Sequence, residues 1–152
     1  MKTVKYSVAL VKEKTVEYKL GDNGRSLNSP DRIADFLNQV YGTDEPQESF
    51  KLICLDVKLK PVGVFVISVG TINHTIVHPR DIFQRAILCN ASSIVVSHNH
   101  PSGDVNPSAE DRKITDMISK AGEIMGIELL DHIIMGTDDE GGYRYYSFKK
   151  GE

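Results

Sequence analysis

The chain has 152 residues, 40% of them apolar, and a formal net charge of −3. At that length one domain is the default, with a core able to bury about 68–70% of the surface that the unfolded chain exposes. The acidic balance, with a sequence pI near 5.9, excludes the global basic field that drives phosphate binding through counterion release.

At the start, Met1-Lys2-Thr3-Val4-Lys5 alternates charged with apolar residues instead of building the continuous apolar run of a signal peptide. No stretch approaches membrane-spanning length, so a cytoplasmic protein is expected. Two alternating stretches follow, Tyr6-Ser7-Val8-Ala9-Leu10-Val11 and Thr15-Val16-Glu17-Tyr18, and predict a hairpin that turns at about Glu13-Lys14. Gly21-Asp22-Asn23-Gly24 is a turn signal. Ser29-Pro30-Asp31 then opens an amphipathic helix carrying Ile33, Phe36, Leu37 and Val40, ended by Gly42. The polar, acidic stretch Thr43 to Gln47, broken by Pro46, marks the expected boundary between an N-terminal extension (1–45) and the main domain (46–152).

From Phe50 the patterning predicts a strand over 50–57, a turn at Lys60-Pro61, a strand over 62–69, a loop and a helix over 80–90. A short strand over 93–97 and a loop precede a helix over 108–125, then strands over 127–135 and near 143–148. Strands interleave with helices, which makes the fold class α/β. Ile94-Val95-Val96, bounded by serines, suits a central strand covered on both faces. Cys54 and Cys89 have neither a second pair nor x-x spacing, so they read as buried thiols in a reducing compartment.

The loop after that central strand, Ser97-His98-Asn99-His100-Pro101-Ser102-Gly103, carries the chemistry. Strand side chains alternate, so His98 and His100 project from one face while Asn99 points away, and two imidazoles converge on one point. A catalytic zinc ion usually takes three protein ligands, and Asp111, ten intervening residues after His100, is the nearest suitable carboxylate. Ser108-Ala109-Glu110-Asp111 is also a capping box for the helix bearing Ile114, Met117, Ile118, Ala121, Ile124 and Met125. Cap and ligand compete in part, since an aspartate bound to a metal cannot give its whole carboxylate to the N-cap amide. Gly103 permits a tight turn that brings Asp111 back to the histidines. Asp131 and His132, adjacent on a strand, face opposite ways, so at most one looks toward the metal. His74 and His78 are left unassigned, His78 as an extended residue entering a helix before Pro79.

The run His98-Asn99-His100-Pro101-Ser102-Gly103, with Pro107-Ser108 and Asp111, resembles the JAMM (MPN-type) metalloprotease motif found in RadC-like proteins. The resemblance extends through Val77-His78-Pro79-Arg80-Asp81-Ile82-Phe83 and Leu130-Asp131-His132-Ile133-Ile134, roughly residues 46 to 148. It implies a cytidine-deaminase-like (JAB/MPN) three-layer sheet flanked by helices, and zinc-dependent hydrolysis of peptide or isopeptide bonds. Its zinc ligands fall on His98, His100 and Asp111, and its oxyanion-stabilising hydroxyl on Ser108. Ser108 is equally well read as a plain N-cap. The upstream glutamate that shuttles the proton falls on Glu48, with Glu45 and Asp44 close enough to compete for the role.

Longer RadC proteins carry a helical DNA-binding-type segment, which nothing in residues 1–45 matches. A zinc-dependent hydrolase acting on a peptide or protein is therefore the leading expectation, with nucleic-acid binding weak. The alternative is a non-enzymatic accessory module of DNA repair with a structural or vestigial metal. A zinc nucleoside deaminase is disfavoured, because that chemistry uses a His/Cys/Cys or Cys₃ ligand set with a Pro-Cys-x-x-Cys run that this chain lacks.

Overall fold

A computed structural model of the chain describes residues 1–21, 24–42, 45–72 and 77–152. Helix α1 (Pro30–Tyr41) is followed by strands β1 (Ser49–Leu55) and β2 (Pro61–Val69), helix α2 (Pro79–Leu88) and strand β3 (Ser93–Asn99). Helix α3 (Ala109–Met125) then crosses to strand β4 (Glu128–Thr137), and β5 (Tyr143–Ser147) completes the set. The five strands form one sheet in the order β2-β1-β3-β4-β5, parallel only between β3 and β4.

Two-residue alternation divides the sheet into two apolar faces, and helices cover both. Phe50, Leu52 and Cys54 of β1 and Ile94 and Val96 of β3 pack against Ile82, Phe83 and Ala86 of α2 and Ile114 and Ile118 of α3. On the other face Ile53, Leu55, Val95, Ile133 and Met135 pack against Ile33, Phe36 and Leu37 of α1, with Leu20 and Leu27 tucked beneath. The result is the three-layer α/β arrangement expected of the JAB/MPN fold. Every residue of β1 and β3 is buried, as expected for central strands.

Local signals account for the element ends. Ser29 caps α1 by accepting from the Arg32 amide, Pro30 occupies its first turn, and Gly42 closes it at φ 71°. Gly126 ends α3 in the left-handed conformation. Helix α3 departs from its predicted stripe: Ile114 and Ile118 are buried, but in the last turn it is Gly122 that packs inward, while Ile124 and Met125 are exposed. Cys54 is buried and Cys89 only half-buried, and both are free thiols.

The hairpin predicted around Glu13-Lys14 does not form. Residues 1–20 contain no strand, and Val4, Tyr6, Val8 and Val11 are exposed. Alternation creates an apolar face, but a face becomes a strand only where a neighbour covers it, and here these side chains stay exposed. The turn residues Asp22 and Asn23, and Thr43 at the expected boundary, lie outside the described residues.

The loop that leaves β3 is clamped onto the end of β4. The His100 amide donates to the Met135 carbonyl at 2.8 Å, and the Gly103 amide returns to the His100 carbonyl at 2.9 Å. Gly103 has φ 80°, and a Cβ on Gly136 would stand 2.7 Å from the Gly103 carbonyl oxygen and 2.8 Å from Val105 Cγ1. Gly136→Ala is therefore expected to destabilise the fold by about 1–3 kcal/mol, because neither the loop backbone nor β4 can give way cheaply. Chemical unfolding of the two proteins is the check, and equal midpoints and slopes would contradict the close approach.

Candidate metal centre

His98 follows Ile94 and Val96 on the α2/α3 face of β3, while Asn99 turns to the opposite face. Asn99 is itself employed. Its Oδ1 accepts from the Ser49 amide at 2.8 Å and the Ser49 hydroxyl at 3.1 Å, and its Nδ2 donates to the Gln47 carbonyl at 2.9 Å. These bonds grip the backbone on both sides of Glu48. His100 stands just beyond the strand, and Asp111, almost fully buried, projects from the first turn of α3.

The three side chains meet. His98 Nε2 lies 3.0 Å from His100 Nε2 and 3.1 Å from Asp111 Oδ1, and His100 Nε2 lies 3.7 Å from Asp111 Oδ2. A tetrahedral metal with bonds of roughly 2.0–2.1 Å holds its ligand atoms about 3.3 Å apart, so the cluster has the dimensions of a three-ligand cation site. Its donor set of two imidazole nitrogens and a carboxylate oxygen could hold a metal ion.

The far side of each imidazole is engaged. His100 Nδ1 bonds the Asp104 carbonyl at 2.5 Å. His98 Nδ1 is 2.8 Å from His132 Nε2, and His132 Nδ1 is 2.7 Å from the Thr115 hydroxyl. Of the two neighbours Asp131 and His132, it is His132 that faces the cluster. Asp131 points away and accepts from the Ser147 hydroxyl and the Lys149 amide, tying β4 to the end of β5. Sequence spacing carried no signal for Thr115, whose part emerges only from the packing of α3 against β4.

Charge follows the same geometry. Burial works against an ionised Asp111, but the neighbouring His100 and His98 imidazoles and the Ser108 hydroxyl outweigh it and hold the carboxyl well below the usual carboxylate range. The Asp111 carboxylate in turn raises the His100 pKa, against the opposing effect of burial. Burial, together with the neighbouring His98, pushes His132 well below 6.5 and keeps it neutral.

The expected conflict between cap and ligand is resolved by the carboxylate's two oxygens. Oδ2 of Asp111 takes the Ser108 amide and hydroxyl, both at 2.7 Å, in the capping box, while Oδ1 faces His98. Ser108 Oγ in turn accepts from the Asp111 amide at 3.1 Å. A polar cavity of about 370 Å³ opens onto the cluster, and Glu48, Ser108 and Asn106 line it beside His100 and Asp111. Glu48 Oε2 accepts from the Ile72 amide at 3.0 Å. Glu45 is committed elsewhere, its Oε2 taking Lys51 Nζ at 2.6 Å and the Ser49 hydroxyl at 2.5 Å. Asp44 and His74 lie outside the described residues, and His78 is exposed at the start of α2.

The family model of the RadC-like JAB domain matches residues 27–152. The chain belongs to the RadC-like JAB domain family. A UPF0758 protein of Thermotoga maritima is 37% identical over 150 residues, covering 99% of this chain and 64% of that protein. Another from Finegoldia magna is 44% identical over 115 residues, and one from Clostridioides difficile is 46% identical over 104. These alignments cover 75% and 68% of the chain, and 51% and 42% of the respective relatives. The alignments therefore span between 42% and 64% of the length of these relatives. The JAB-domain family includes hydrolases, and among the described residues of this member no helix is long and apolar enough to cross a membrane.

The cluster predicts metal uptake that His98→Ala and His100→Ala each abolish, as read by elemental analysis after dialysis. Uptake should also weaken as pH falls. A cation must displace the proton from His100, and because Asp111 raises that pKa above 6.5, competition begins nearer neutrality than for a free histidine. Chelator competition between pH 8 and pH 5.5 would show the trend, and a pH-independent affinity would contradict it.

Proposed function

We propose that this RadC-like JAB domain is a zinc-dependent hydrolase of the JAMM type that cleaves a peptide or isopeptide bond in a protein substrate. The observation that carries the reading is the opening of one cavity onto His100 and Asp111 of the three-ligand cluster as well as onto Glu48 and Ser108. Two histidines and a carboxylate suit zinc, which prefers borderline nitrogen ligands and leaves a fourth position for chemistry. Bound there, zinc supplies Lewis-acid polarisation of the scissile carbonyl and lowers the pKa of a water toward neutrality.

The chain's own residues do the rest. Glu48 stands outside the ligand triad, with one carboxylate oxygen anchored by the Ile72 amide, so its other oxygen can take the water proton and pass it to the leaving amine. Asn99 holds the backbone flanking Glu48, which limits the positions that carboxylate can reach. Ser108 donates to the developing oxyanion by exchanging its bond to Asp111 Oδ2 for one to the substrate oxygen. The cap survives this exchange in part, because the Ser108 amide still holds Asp111 Oδ2.

Glu48→Gln is expected to keep its zinc and lose most turnover, since an amide preserves the shape but accepts no proton from water. Ser108→Ala should cost on the order of 10²–10³ in turnover, and about 1 kcal/mol of stability through the lost cap. Both are measured on a peptide or isopeptide substrate found by screening with and without chelator. An active Glu48→Gln variant would remove that residue from the mechanism.

The competing reading, a DNA-processing accessory with a structural metal, makes a different forecast. With an acidic chain, duplex and single-stranded DNA near physiological salt should bind no tighter than roughly 10⁻⁶ M. Sub-micromolar, salt-resistant binding would favour the accessory.

A further inference from the structure

The hydrogens of one buried polar chain can be assigned by elimination, starting from a group that can only accept. Thr115 Oγ1 lies 2.6 Å from the backbone carbonyl of Asp111, and its single hydroxyl proton must point there. Its oxygen is then free only to accept, so His132 Nδ1, 2.7 Å away, carries the proton of that contact. A neutral His132 consequently has its lone pair on Nε2, where it accepts from His98 Nδ1–H at 2.8 Å. His98 is left with its lone pair on Nε2, the nitrogen that faces Asp111 and His100.

We infer that His132, itself oriented by Thr115, is a positioning residue for the metal centre that fixes His98 in its ligating tautomer and ring orientation. This inference rests on the metal reading of the site. The chain runs through β3, β4 and α3 and ends on the backbone of Asp111, so one ligand's orientation is tied to the placement of another. Its surroundings are closely packed. The His132 ring is fully buried, stacks on Phe148 at 4.8 Å between centroids, and meets the edge of Phe50 at 5.7 Å. Partners of this kind, which turn a ligand's second nitrogen into a committed donor, typically govern 10- to 100-fold in metal affinity.

The test uses zinc affinity, measured by competition with a chromogenic chelator, and the visible absorption of the cobalt(II)-loaded protein as a readout of ligand geometry. His132→Phe keeps the ring and its stacking but removes the acceptor. It should bind zinc about 10- to 100-fold more weakly and alter the cobalt spectrum. His132→Gln restores an acceptor toward His98 and should recover much of that loss, whereas a residue needed only for packing would show the opposite order. Thr115→Val should weaken binding by less than His132→Phe, and the double variant should be no worse than His132→Phe alone.

Wild-type affinity and spectrum in His132→Phe would overturn the inference while leaving the metal site standing. A wild-type protein that takes up neither zinc nor cobalt would overturn both. Should metal-free His132→Phe fail to fold in a thermal scan, Thr115→Val decides, and unchanged zinc affinity there overturns the proposal.

Discussion

Two imidazoles and a carboxylate are held with their nitrogen and oxygen atoms 3.0–3.7 Å apart at the end of β3. Such a grouping is repulsive unless positive charge sits among them, and in a mostly dehydrated place that repulsion is not screened. The surrounding structure can be understood as the apparatus that maintains this unfavourable convergence. A central strand, a tethered loop and a helix start each deliver one ligand, so no element can shift without opening the cluster.

The cost of burying so many polar groups is offset by completeness. Asp111 divides its two oxygens between the ligand cluster and the helix cap, and His100 finds the Asp104 carbonyl. The partners of His98 continue to a backbone carbonyl without a break. Phe50 and Phe148 flank this chain with apolar rings. Low local polarity strengthens each of these bonds while making any missing partner expensive, which favours a single arrangement over several similar ones.

Much of this was legible in the sequence because it depends on short-range periodicity. The buried run Ile94-Val95-Val96, the His-x-His spacing and the cap at Ser108 each report local geometry, and β3, the loop and α3 follow from them. What escaped depends on partners remote in sequence. His132 is 34 residues from His98, and Thr115 is 17 from His132, so only the parallel pairing of β3 with β4 and the crossover through α3 bring them together. Glu48 and Glu45 could not be separated by position alone. Buried Lys51 separates them, drawing Glu45 to itself and leaving Glu48 beside the cavity. The N-terminal alternation misled for the converse reason, since its pattern was local and its missing neighbour was not.

Asn99 gives the strand an unusual sensitivity to register. Its side chain secures β1 and the backbone around Glu48 from one face of the sheet, while the histidines on either side of it serve the other. Sliding β3 by one residue would reverse every side chain, thrusting both imidazoles toward α1 and an amide into the ligand cluster. A misaligned strand thus cannot yield a weakened version of the centre. Pairing errors during folding are converted into complete loss of the site, and correct pairing delivers ligands and glutamate anchor in the same event.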